Sequence, residues 1–221
     1  MGDAPLVPGP VYGVRAWTVV GGHGSERLAA PHQAVTWPPG GAWLEAECPA
    51  GHSPPARGCD CGIHAWHPRR RWARRIVAGR GQVPGVVEAS GAIELHEDGF
   101  RAQRARPHAL FLVRGRNPGL VRRLAAAYAV PIVEARGPDE IVDWCRARGL
   151  GLDEPVVTEL LGSATIAERR RVRRRKARIQ RLRVAAGLAA VAALLAIGLV
   201  ATDTPCGETL SGRTGEVHVH C

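Results

Sequence analysis

Apolar positions follow three successive patterns along the chain. Over residues 11–112 they alternate with polar residues or form short β-branched blocks. Val11–Val20 (VYGVRAWTVV) reads as a strand, and Ala42–Glu47 (AWLEAE) alternates as a short strand should. Val86–Leu95 leads into His96-Glu97-Asp98-Gly99, whose Asp-Gly pair favours a tight hairpin, and Phe100–Leu112 returns. Trp37-Pro38-Pro39-Gly40 is turn chemistry. Arg69–Ile76, behind Pro68, predicts a basic helix anchored by Trp66 and Trp72. Short strands separated by Gly and Pro predict a small barrel or a strongly bent sheet.

The period then changes to that of helices. Asn117-Pro118 can cap and open a helix running to Ala129, and Val130–Glu134 follows as a short strand. Pro138–Arg148 carries its acids first and its arginines last, the order a helix dipole favours, with Gly149 as the stop. With Glu154–Gly162 these segments make a helix–strand–helix lobe packed on the β part. Cys145, beside Trp144 on the second helix, reads as a core residue.

The third pattern has no period. Val184–Ala201 is eighteen residues without charge, long enough as a helix to reach about 27 Å against a hydrocarbon core of ~30 Å. It predicts a single transmembrane helix. Ala185, Ala189 and Ala193 recur at every fourth residue and offer a close-packing face for a homodimer. Thr165-Ile166-Ala167-Glu168 has capping-box spacing, so a basic helical stem can run without a break into the span.

Charge sharpens this expectation. Of 30 Lys and Arg, ten lie within residues 169–183: Arg169, Arg170, Arg171, Arg173, Arg174, Arg175, Lys176, Arg178, Arg181 and Arg183. The rest of the chain holds 20 basic and 20 acidic residues, so the net +10 is one local feature. By the positive-inside rule the run places residues 1–183 in the cytoplasm and 202–221 outside a cell membrane. The same side chains would contact anionic inner-leaflet lipids. Adjacency to a span explains the run fully, so nucleic acid ranks below the bilayer as its partner.

Candidate chemistry is concentrated in cysteine and histidine. Cys48, His52, Cys59 and Cys61, within CPAGHSPPARGCDCGIHAW, could close a tetrahedral zinc site, with His64 or His67 able to replace His52. Buried small thiols and a reactive thiol are the alternative readings. The spacing C-x3-H-x6-C-x-C is not a standard zinc-finger pattern. Cys206 and Cys221 would lie outside, where a disulfide can persist. No catalytic signature is present: Gly79-Arg80-Gly81 lacks the phosphate-loop context, and His96-Glu97-Asp98 reads as a solvated turn.

WPPGGAWLEAEC…HSPPARGCDCGIHAW, followed by VVEASGAIELHEDGFRAQRARP, resembles a group of actinobacterial single-pass membrane proteins. Their recurring core reads W-x-P-G, C, C-x-C-G-I-Y-A, then a strand pair ending G-Y-R-A-E. His64 and Phe100 stand here at the tyrosine positions, and the likeness covers residues 10–135. It implies a shared N-terminal domain and no activity.

The expected fold is therefore α+β. A β-rich cytoplasmic domain (1–115) precedes the helix–strand–helix lobe (116–162), the stem (163–183), the transmembrane helix (184–201) and a short external tail (202–221). The expected function is a membrane-anchored binding or regulatory module, zinc-stabilised, that recruits a protein or small ligand. The alternatives are a tethered enzyme built on Cys59, Cys61 and His64, and a nucleic-acid module acting through residues 169–183.

Overall fold

The computed structural model describes residues 10–31, 35–79 and 81–162, separated helical positions between 167 and 192, and two short strands beyond. The chain divides into two compact units, Met1–Ile166 and Ala167–Cys221.

The first unit is α+β with a mixed sheet. Its strands are β1 (Val11–Val20), β2 (Arg27–Ala29), β3 (Leu44–Glu45), β4 (Ile63–Trp66), β5 (Val83–His96), β6 (Gly99–Val113) and β7 (Ile132–Ala135). The helices are α1 (Arg70–Ala78), α2 (Pro118–Tyr128), α3 (Pro138–Ala147) and α4 (Glu154–Leu161). β5 and β6 are the long pair, 14 and 15 residues, and β5 carries register shifts at Val86/Val87 and Ser90/Ile93. Such bulges bend a strand. The first half of β5 pairs with β1, while the first half of β6 pairs with β4. Val14 then meets Trp66 of β4, so the antiparallel pairings close a ring β1–β5–β6–β4. β7 adds to β6 in parallel, with α2 as the crossover.

Alternation along the strands feeds two cores. Trp17, Trp37, Val87, Leu95, Phe100 and Leu110 pack with Leu124 and Tyr128 of α2. Val14, Val86 and Phe111 pack with Ile76 of α1 and with Ile141 and Cys145 of α3. The Tyr128 hydroxyl lies fully inside, accepts from the Leu28 amide at 2.9 Å and donates to the Trp37 carbonyl at 2.8 Å. Glu26 adds a second tie to α2: Arg123 donates to its Oε1 at 2.9 and 2.7 Å and holds its carboxyl down at about 2.

The β5–β6 hairpin turns one residue earlier than its Asp-Gly pair suggests. His96 pairs with Gly99, leaving Glu97-Asp98 as the loop. Gly99 is needed for a different reason: a Cβ there would sit on the Ala65 carbonyl of β4. The glycine lets β4 close onto the hairpin.

The membrane expectation is overturned. Among the described residues no helix is long and apolar enough to cross a membrane. Described helical positions before 184 include Arg171, Arg174, Arg175, Arg178, Arg181 and Arg183, all exposed. The basic stem continuous with a transmembrane helix, the single-pass description, and the assignment of 1–183 to the cytoplasm and 202–221 to the outside all rested on that span and fall with it. Residues 193–206, with Ala193, and Arg169, Arg170, Arg173 and Lys176 lie outside the described residues. In the second unit β8 (Gly207–Leu210) pairs antiparallel with β9 (Val217–His220). Cys206 and Cys221, and hence the expected disulfide, lie outside the described residues.

Tyr128→Phe tests the buried tie between α2 and the sheet. It keeps the ring but strands the Leu28 amide and the Trp37 carbonyl, so chemical denaturation should show a loss of about 1–3 kcal/mol. An unchanged midpoint would mean that this bridge adds nothing.

Candidate metal centre

The segment between β3 and β4 contains no regular element, yet it is held at several points. Gly51 N–H donates to the Cys48 carbonyl at 2.9 Å, closing a Cys48-Pro49-Ala50-Gly51 turn whose last residue has φ of +74°. Cys59 N–H donates to the Ala56 carbonyl at 3.2 Å and makes a second turn. Ala46 N–H, just before the first turn, bonds to Gln103 of β6 at 2.7 Å.

The strongest anchor is Arg101, a charged side chain only 6% exposed. Its guanidinium donates to the Cys59 carbonyl, to the Cys61 carbonyl at 3.1 Å and to the Ala56 carbonyl at 3.4 Å, and it pairs with Glu94. Glu94 and Arg101 are opposed in the hairpin, and Arg101 also faces His64 of β4. A planar fork of donors suits several carbonyls at once, which a lysine ammonium could not match. On the other side Arg15 of β1 donates to the His64 carbonyl and lies over the Trp37 ring at 5.3 Å. Burial lowers Arg15 to about 10, so it stays charged at neutral pH.

These anchors gather three thiols and one imidazole. One ligand atom from each of Cys48, His52, Cys59 and Cys61 lies within 4.8 Å of every other. Cys48 Sγ is 3.5 Å from His52 Nδ1 and 3.7 Å from Cys59 Sγ. A tetrahedral zinc ion with Zn–S of ~2.3 Å and Zn–N of ~2.0–2.1 Å requires S···N edges of about 3.6 Å and S···S edges of about 3.8 Å. These two edges match, and all four donor atoms lie within 4.8 Å of one another, so the group could hold a metal ion through sulfur and nitrogen donors of the kind zinc takes.

The electrostatics also favour a thiolate. Burial would raise the Cys48 thiol, but the amides of Ala50 and His52 and the thiols of Cys59 and Cys61 outweigh it and bring Cys48 to about 7. The Cys61 amide acts in the same sense on Cys59. There the neighbouring thiols of Cys61 and Cys48, burial and the charge of Cys48 prevail, so its affinity for a proton is raised. Cys48 therefore releases its proton more readily than an ordinary thiol, and an arriving cation would displace the protons that remain. The Cys61 sulfur accepts the Ala56 amide at 3.3 Å.

The other sequence candidates lie apart. His64 is exposed and its Nε2 meets the Asp60 carbonyl at 3.1 Å. His67 is fully buried, with Nε2 on the His96 carbonyl at 3.1 Å and its ring beside Phe100. Cys145 lies on the buried face of α3, where burial pushes its thiol up to about 12. The sequence reading missed Arg101 and Arg15. The only available signal for Arg101 was the hairpin register, which sets it opposite Glu94. Compared with protein-family models, curated proteins and solved structures, the chain matches none of them.

Two measurements check this geometry. Arg101→Gln should weaken zinc binding about 10–100-fold in a chain of unchanged circular dichroism, because outer partners orient ligands; equal affinity would remove Arg101 from the site. His67 is the second case. Burial chiefly holds it down at about 4, against the weaker pull of the His96 carbonyl. Its unfolded form therefore takes up a proton first as pH falls below ~6.5, and the fold loses stability down to pH ~4, by up to about 3 kcal/mol. His67→Gln should flatten that part of the stability–pH curve relative to the native chain. Parallel curves would show that His67 does not titrate on unfolding.

Proposed function

We propose that the unit Met1–Ile166 is a zinc-stabilised binding module in which Cys48, His52, Cys59 and Cys61 hold one structural Zn²⁺. The observation that carries this reading is the pair of ligand edges, 3.5 Å and 3.7 Å, which match those of a zinc tetrahedron. Three thiolates and one imidazole fill all four positions, whereas a catalytic zinc keeps one open for water or substrate. The chemistry of the donor set is thus that of a cross-link. The ion would join the turn at Cys48 to the turn at Cys59 and fasten both to β4 through Cys61.

A thiol enzyme centred on Cys59, Cys61 and His64 has less support. The imidazole that would serve as its base rests on the Asp60 carbonyl, outside the group of four. A structural ion fits the surroundings better, because a long irregular segment with little apolar content gains order from a metal clip.

The test is metal content and stability of the purified full chain. One zinc per chain is expected, with loss of most of it in Cys59→Ala and in His52→Ala. Titrating zinc into chelator-stripped protein to about a thousandfold over Kd should raise the melting temperature by about 10 °C. A stripped chain whose melting does not respond to zinc would refute the proposal.

A further inference from the structure

Two of the four donors are in direct contact with each other. Cys48 Sγ and Cys59 Sγ lie 3.7 Å apart, and both residues are half exposed. A disulfide needs about 2.05 Å, so the sulfurs must approach by about 1.7 Å. The two sides are held differently. The Cys59 carbonyl is fixed by the buried Arg101, whereas among the described residues the Cys48 backbone is tied only to its own turn, through Gly51. Cys48 can therefore move toward an anchored partner. Cys61 is less suited, because its sulfur accepts the amide of Ala56, a residue itself held by Arg101, whereas the amides on Cys48 sulfur, those of Ala50 and His52, belong to its own turn and move with it. Cys145 is buried in a different part of the core.

We propose that the site is a redox-gated metal clasp, in which a hydroperoxide joins Cys48 to Cys59 and thereby expels the ion. This rests on the zinc reading above. Cys48 sulfur attacks one peroxide oxygen, an S–O bond forms, the O–O bond breaks and hydroxide leaves. The sulfur has then lost two electrons to the peroxide and stands as sulfenic acid. Cys59 thiolate attacks that sulfur, the S–S bond forms, the S–O bond breaks and a second hydroxide leaves. Two thiolates and one hydrogen peroxide thus give one disulfide and two hydroxides. The ion retains only His52 and Cys61 as ligands, two where zinc requires four. A dithiol reductant returns both thiolates by exchange and the site can reload.

The experiment uses the zinc-loaded full chain carrying Cys206→Ser and Cys221→Ser, so that only the four described cysteines respond. It is treated with hydrogen peroxide beside a chromogenic zinc chelator, then mapped by non-reducing peptide mass spectrometry. Expected are one zinc released per disulfide formed, a Cys48–Cys59 crosslink, Cys61 and Cys145 still open to alkylation after denaturation, and zinc rebinding after dithiothreitol. A chain that keeps its zinc through oxidation, or bridges another pair, overturns this proposal while leaving the structural zinc intact. A chain that never loads zinc overturns both, and oxidising that metal-free chain then shows whether the Cys48–Cys59 contact exists at all.

Discussion

The site depends on one buried charge. Arg101 has left water almost completely, and a guanidinium does so only where acceptors replace its hydration. Those acceptors are the Glu94 carboxylate and the carbonyls of Ala56, Cys59 and Cys61. The dependence runs both ways. Without the loop the charge has too few partners, and without the charge the loop has no fixed path. Two cysteine carbonyls at one guanidinium mean that their side chains leave the backbone from defined points.

Arg101 in turn is placed by the sheet. The β5–β6 register sets it opposite Glu94, and the bent hairpin lets β4 close against the start of β6 and against β1. Gly99 permits that closure, because any side chain there would collide with Ala65. Arg15 holds the far end of the same segment through His64. The irregular stretch from Cys48 to Gly62 is thus suspended between arginines from two strands of one ring. The cores on the two faces, with α2 on one side and α1 and α3 on the other, keep those strands in register.

The sequence disclosed these parts unevenly. The β1, β3, β5, β6 and β7 strands and α1, α2 and α3 were legible because alternation, turn residues and capping signals agree there, whereas Glu154–Gly162 was placed in the lobe without a helix being assigned to it. Residues 27–29 and 63–66 were not read as strands, because three or four residues are too short to carry a period. The Cys/His group was visible by composition. Its histidine was assigned first as His52, with His64 or His67 as replacements, and the fold brings His52 to the thiols while His64 rests on the Asp60 carbonyl and His67 lies in the core. Arg101 resembled any polar residue of an alternating strand, and its burial depends on a loop forty residues earlier in the chain. The apolar stretch beginning at Val184 was read as a span from composition and flanking charge. That pattern did not yield a helix meeting the requirement among the described residues.

The central claim is a four-coordinate ion on Cys48, His52, Cys59 and Cys61, and X-ray absorption at the zinc edge of the purified full chain tests it most directly. The expected spectrum has three sulfur scatterers at ~2.3 Å and one nitrogen at ~2.0–2.1 Å. A shell of oxygen and nitrogen alone, or four sulfurs without an imidazole, would contradict the geometry described above.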